Sequence, residues 1–282
     1  MVANKSAVEE LVYDVGAHNG DDTAHYLEMG YRVVSVEADP ILAEKLRRRF
    51  EKELNAGRLT VANIGIADSE GALPFYLCPE ATDWNSFDKE WASSRGMETV
   101  EVSVPARRFG SLLAEYGVPL FLKVDIEGSD ALCIRALSDA TAPEYVSFEA
   151  DADSSELIIH LYSIGYSRFA LVNQYDFTSV SLPTLGSWPH VLWSAKQAAR
   201  RLVRTHPALK RTVSAMRPRL RWKGNAEGFR PGTSSGPSPM ERTTGWQDIW
   251  TFLHTWTCVI TSGMITSAWF DIHATRTLSS RE

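Results

Sequence analysis

Cysteine is scarce in this 282-residue chain. Cys78, Cys133 and Cys258 lie far apart and form no C-x-x-C pair, which excludes a disulfide framework and a cysteine-rich zinc site. They are expected as reduced thiols. A long apolar run is also missing. The longest, Cys258 to Phe270, is broken by Thr, Ser and Gly and falls short of the roughly 18 residues a membrane-spanning helix needs. The opening stretch MVANKSAVEELVYDVG carries no basic and apolar leader, so a cytoplasmic protein is expected. No Gly-Lys-Ser/Thr follows a glycine turn, which removes a P-loop, and no internal repeat is visible. At 44% hydrophobic and 23% charged residues, the composition is globular and rules out wholesale disorder.

Carboxylates are nearly absent from the last third. Residues 1–176 carry 15 Lys+Arg against 30 Asp+Glu, whereas residues 177–282 carry 14 against 5. Between Asp176 and Glu227 there is no carboxylate at all, and basic residues accumulate from Lys196 to Lys223. The chain divides accordingly into a cofactor-binding domain over residues 1–176 and a basic, Trp-rich extension over residues 177–282, part of it a Pro/Gly loop. The basic stretch reads either as a solvated face folded back on the acidic body or as a surface for an acceptor, anionic lipid or nucleic acid.

Short β-branched runs alternate with helical patterns through the first 176 residues, the βαβ signature of an α/β fold with helices on both faces of a mostly parallel sheet. Strands are expected at Leu11–Val15, Arg32–Glu37, Leu59–Asn63, Phe121–Asp125, Tyr145–Glu149 and Arg168–Val172. Ala72–Leu77 and Thr99–Val104 bracket a polar stretch and read as a hairpin-like excursion.

The strongest motif is LVYDVGAHNGDDTAHYLEMG, a strand entering a glycine turn that opens a helix. Gly16 and Gly20 would let a ligand approach bare backbone at the helix start. Their spacing is not G-x-G-x-x-G, and Asp14, Asp21 and Asp22 surround them, which would repel a pyrophosphate. A ligand with a cationic end suits such a turn, and S-adenosylmethionine has an ammonium, a sulfonium and no phosphate. The second strand ends in Glu37, where a Rossmann-type site binds ribose hydroxyls. Asp39, directly before Pro40, is the better helix cap. Asp68 is a candidate for the adenine amino group or a plain turn residue.

In FLKVDIEGSD, Lys123, Asp125 and Glu127 project at period two, so the strand should end at a crevice. The alternative is a self-satisfied Lys–carboxylate cluster. Two carboxylates are too few oxygens for a hard-cation site, and no metal is expected.

The runs YDVGAHNGDDTAHYLEMGYRVVSVEADP, NIGIADSEGALPFY and PLFLKVDIEGSDALCIRAL resemble the FkbM family of S-adenosylmethionine-dependent methyltransferases, of the Rossmann-like class I fold. The resemblance covers residues 10–175, and WFDIHATR resembles the tail of one bacterial subgroup. It implies a seven-stranded sheet, cofactor contacts at Asp14, Gly16, Gly20 and Glu37, and methyl transfer to a hydroxyl of a sugar, glycolipid or natural product. Asp125, Glu127 and His18 are the candidate bases for that hydroxyl, Asp125 foremost. His18 has a hydrogen bond within its turn as the alternative role. Seven of the nine tryptophans fall in the tail, where they would stack on a sugar, touch a lipid surface or simply pack. The rivals are an inactive binding protein of the same fold and a nucleic-acid methyltransferase using the tail as a phosphate grip. The acidic body and the lack of an N-P-P-Y or Pro-Cys motif weigh against nucleic acid as a partner.

Overall fold

The computed structural model describes residues 10–181, 238–261 and 269–276, apart from Arg95, Met97, Glu127, Ala152, Asp153, Asp176 and Thr243. Glu127 and the basic run from Lys196 to Lys223 therefore lie outside the described residues.

The apolar runs become strands, and the amphipathic segments between them become helices. In chain order these are β1 (Leu11–Val15), α1 (Asp21–Glu28), β2 (Arg32–Val36), α2 (Pro40–Arg49), α3 (Glu51–Asn55), β3 (Leu59–Ala62), β4 (Gly65–Ile66) and β5 (Gly71–Leu77). Next come α4 (Lys89–Ser93), β6 (Val100–Arg107), α5 (Phe109–Tyr116), β7 (Phe121–Val124), α6 (Asp130–Arg135), β8 (Tyr145–Glu149), α7 (Ser154–Ser163) and β9 (Arg168–Asn173). The tail adds β10 (Ser179–Val180), β11 (Gln247–Asp248), α8 (Ile249–Thr261) and β12 (Phe270–Thr275). The start of α2 shows how locally some of this is encoded. Pro40 supplies a preset φ, and Asp39 Oδ1 accepts from the N–H groups of Ile41 and Leu42 at 2.7 and 3.3 Å.

The main sheet runs β10-β9-β12-β8-β7-β1-β2-β3, with β11 also pairing β9. Neighbours from β8 to β3 are parallel, and β12 is antiparallel to both β8 and β9. Seven longer strands thus form the expected mostly parallel sheet, and two-residue β10 and β11 bring it to nine among the described residues. On one face Tyr13, Val34, Leu122 and Phe148 join a core with residues of α5, α6, α7 and α8, including Leu112, Ile134, Ile158 and Trp256. On the other, Val12, Val33 and Phe121 meet Tyr26 of α1 and Leu46 and Phe50 at the end of α2.

Described residues on both sides of position 176 build one sheet and one core. β12 lies between β8 and β9, bonded to both, and Phe252 and Trp256 of α8 are fully buried in the main core. A two-part division of the chain was expected because the charge changes there; backbone pairing overrides composition.

A buried polar row crosses the α1 side of the sheet. Ser35, Asp14, Lys123, Ser147 and His273 stand side by side on β2, β1, β7, β8 and β12, each no more than 2% exposed. Between β3 and α5 the chain leaves the main sheet. There β4, β6 and β5 form a second, three-stranded sheet, so the excursion is real and arches beside the ends of β1 and β2.

Candidate active site

At the carboxyl edge of the parallel strands lies a cavity of about 410 Å³, where open α/β sheets bind ligands. Each wall is the loop after a strand: Gly16–Asn19 after β1, Glu37 after β2, Ile64 and Gly65 after β3, Asp125 and Ile126 after β7. The excursion contributes residues from Thr82 to Phe87, and Trp269 enters from the start of β12. Among the described residues Glu37, Asp83 and Asp125 line the cavity, and no lysine or arginine does.

Gly16 has φ +85°, and a Cβ there would lie 1.8 Å from the backbone oxygen of Asp125. The loops after β1 and β7 close on each other only because that side chain is missing. Gly20, the cap of α1 at φ +83°, does not line the cavity. Its Cβ would meet Leu46 Cδ2 at 2.5 Å and Phe50 Cε2 at 2.7 Å, so its glycine is a packing requirement.

Glu37 lies beside this turn with both carboxylate oxygens engaged. Oε2 accepts from the N–H of His18 at 2.7 Å and Oε1 from that of Asp39 at 2.8 Å. Burial pushes its carboxyl up to about 7, against those backbone N–H groups, which pull it down. His18, at φ +47°, turns its ring to the excursion. Nε2 lies 2.8 Å from Thr82 Oγ1 and 3.1 Å from Asp83 Oδ1, so the ring bridges the mouth of the cavity beside Glu37.

Asp14 was expected among the cofactor contacts, but it is fully buried and outside the cavity lining. Adjacent in the polar row, Lys123 Nζ lies 3.5 Å from its carboxylate, 2.8 Å from that of Asp22 and 3.5 Å from that of Asp125. Burial alone would lower the Lys123 ammonium. The carboxylates of Asp22, Asp14 and Asp125 around it instead hold it well above the usual lysine value. Thr23 Oγ1 donates to Asp14 Oδ2 at 2.6 Å, and Asp21 pairs with Arg49 at 2.8 Å. The acidic turn is thus mostly neutralised below the floor by a Lys–carboxylate cluster. Only Asp125, its side chain 28% exposed, reaches the cavity.

Asp130 fixes that loop. Its two oxygens accept from the N–H groups of Ile126 at 2.9 Å and Glu149 at 3.1 Å, tying β7 to β8. Burial, with Asp125 nearby, pushes its carboxyl up to about 7. Burial likewise raises Asp271 of β12 well above the usual carboxylate range.

Asp68 does not line the cavity either; it is exposed, and its backbone carbonyl accepts from Arg108 Nε at 2.7 Å. At Gly65 the chain joins the second sheet, pairing with Ala106, and carries Asp68 away from the cavity. Phe87 lies there instead, over Gly65, whose Cβ would strike its ring at 2.2 Å. No local pattern marks Phe87, Thr82 and Asp83 as site residues, because long-range pairing brings them in; Trp269 is one of the seven tail tryptophans for which stacking on a sugar is one expected role.

The profile described as Methyltransferase FkbM domain matches residues 14–166, more than half of the chain. No curated protein matches the sequence. Among solved structures, precorrin-6y C5,15-methyltransferase of Geobacter metallireducens is 16% identical, with 64% of this chain and 71% of that one covered and a TM-score of 0.33. The C-terminal domain of precorrin-6Y C5,15-methyltransferase from Rhodobacter capsulatus is 15% identical over 63% and 72%, at TM-score 0.35. A putative sarcosine dimethylglycine methyltransferase from Galdieria sulphuraria is 8% identical over 95% and 79%, at TM-score 0.39.

Proposed function

The chain belongs to the FkbM methyltransferase family, and from that premise we propose that this S-adenosylmethionine-dependent enzyme methylates a hydroxyl oxygen of a sugar, glycolipid or natural product. The sign of the cavity carries the cofactor half of this reading. Three carboxylates without a lysine or arginine among its described lining residues suit a ligand bearing an ammonium and a sulfonium and disfavour a pyrophosphate. Glu37 is the acceptor for the ribose hydroxyls. The turn Gly16–Asn19 offers bare backbone to the amino-acid end, and Ile66 and Phe87 flank the adenine. When bound, the cofactor supplies an electrophilic methyl group on sulfur.

Asp125 carries the acceptor half. It is the carboxylate on the β7 side of the cavity, oriented from below by Lys123 at 3.5 Å. A sugar hydroxyl is barely ionised at neutral pH, so a positioned carboxylate that receives its proton contributes on the order of 10²–10⁴ in rate. Asp130 is a positioning residue, since it fixes the backbone beside Asp125. His18 is a structural latch, its ring held by Thr82 and Asp83.

The test is transfer of a tritiated methyl from S-adenosylmethionine to a panel of methyl glycopyranosides and phenols, with calorimetry of S-adenosylhomocysteine and NAD alongside. Transfer to a glycoside and binding of S-adenosylhomocysteine alone are expected. NAD binding without a response to S-adenosylhomocysteine would overturn the cofactor assignment, and transfer only to phenols would overturn a sugar as the acceptor.

A further inference from the structure

Trp269 belongs to the C-terminal extension, yet it lines the cavity while 43% of it remains exposed. Large aromatic side chains gain most from burial, so an indole held half-open in a cavity wall calls for a partner.

Strand order says what that partner is. Glu37 follows β2 and Trp269 precedes β12, and the sheet between them runs β2-β1-β7-β8-β12. At about 4.8 Å per strand, the two ends of the cavity are roughly 19 Å apart. A cofactor with its ribose at Glu37 and its amino-acid end at the Gly16–Asn19 turn covers β2 and β1. The β7-to-β12 side, with Asp125, Ile126, Ser129 and Trp269, is left for the acceptor.

Gln174, outside the cavity lining, holds the backbone of Trp269 in place. The N–H of Gln174 donates to the Trp269 carbonyl at 2.9 Å. The side-chain amide of Gln174 is buried, and neither its Oε1 nor its Nε2 finds a hydrogen-bond partner among the described residues. A flat apolar face and a carboxylate on one side of the same cavity match a ring with one C–H face and several hydroxyls.

We propose that Trp269 is the specificity-determining residue of the acceptor subsite, the platform on which a polyhydroxylated ring lies with its reacting hydroxyl toward Asp125. The inference rests on the acceptor reading given above. It places substrate selection at the entry to β12, far in sequence from the cofactor motifs.

The test uses the full chain with Trp269→Ala and Trp269→Phe. Calorimetry of S-adenosylhomocysteine reads the cofactor half, and tritiated-methyl transfer to the glycoside panel reads the acceptor half. For Trp269→Ala, KM for the glycoside should rise at least tenfold while S-adenosylhomocysteine affinity stays within twofold. Trp269→Phe, which keeps a flat face, should recover most of the loss. Melting curves of both variants should stay within a few degrees of the wild type. An unchanged KM in Trp269→Ala overturns the proposal, as does a parallel loss of S-adenosylhomocysteine affinity or melting temperature. A wild-type enzyme inert toward every glycoside overturns the acceptor reading and this inference with it, whereas an active wild type and an equally active Trp269→Ala overturn the inference alone.

Discussion

The backbone oxygen of Asp125 occupies the place that a side chain on Gly16 would need, 1.8 Å from an added Cβ. One contact therefore couples the proposed cofactor turn to the proposed base. Gly16→Ala must push these loops apart and hold alanine at a positive φ. We expect a loss of at least ~2 kcal/mol in stability, read by urea unfolding, with S-adenosylhomocysteine affinity falling too.

Glu37 gives a pH signature. Ribose hydroxyls donate to the carboxylate, so binding favours the ionised form. With the carboxyl pushed up to about 7, S-adenosylhomocysteine affinity should rise as pH increases through about 7 and level off above it. Stability of the ligand-free protein runs the other way. The unfolded group titrates near 4.5 and the folded one near 7, so the native state keeps the extra proton in between. Stability falls as pH rises through that window, and Asp130 adds to the same trend. Glu37→Gln should flatten the affinity profile and weaken binding by about 1–3 kcal/mol; calorimetry from pH 5.5 to 8.5 checks both.

Lys123 balances buried carboxylates. Lys123→Met would strand Asp14 and Asp22 without their cation, at a cost of about 3–5 kcal/mol. Adding Asp14→Asn and Asp22→Asn to that variant should recover a large part. Guanidinium denaturation of the two proteins measures the difference.

Asp125→Asn keeps size and shape but removes the proton acceptor. Methyl transfer should drop by about 10²- to 10⁴-fold, with S-adenosylhomocysteine affinity within a few-fold. Equal loss of both would move Asp125 from the chemistry to cofactor binding.

A chain ending after Asp176 should fail to fold, because the cut removes β12 from between β8 and β9 and Trp256 from the core. Circular dichroism and a melting curve should show a lost or broadened transition. A folded truncate that binds S-adenosylhomocysteine would mean that β9 can pair directly with β8.

Why β12 escapes a sequence reading is visible in its residues. FDIHAT alternates apolar and polar side chains, the pattern of a half-exposed edge strand, yet all six are buried. Asp271 and His273 face the polar side of the sheet, where the row from Ser35 to Lys123 continues. β1, β2 and β7 were legible because their apolar runs abut glycine turns and acidic residues within a few positions. Gly16 and Glu37 were recognisable for the same reason, as local pattern. Asp14 reads as a ligand group until its neighbour Lys123 is known, and that adjacency depends on β1 lying beside β7. The excursion was legible as two strands, but not that Phe87 would displace Asp68 from the cavity.

The place of β12 also bears on how fast the protein can assemble. β8, α7 and β9 follow one another directly, and their strands would ordinarily pair as soon as they formed. Here they must end up one strand apart, with the gap filled by residues that follow Asn173 by nearly a hundred positions. Closing so long a loop is entropically slow compared with forming the local β1-α1-β2 unit. Refolding should therefore show early burial around Val12, Val33 and Tyr26, with the slot between β8 and β9 filled last.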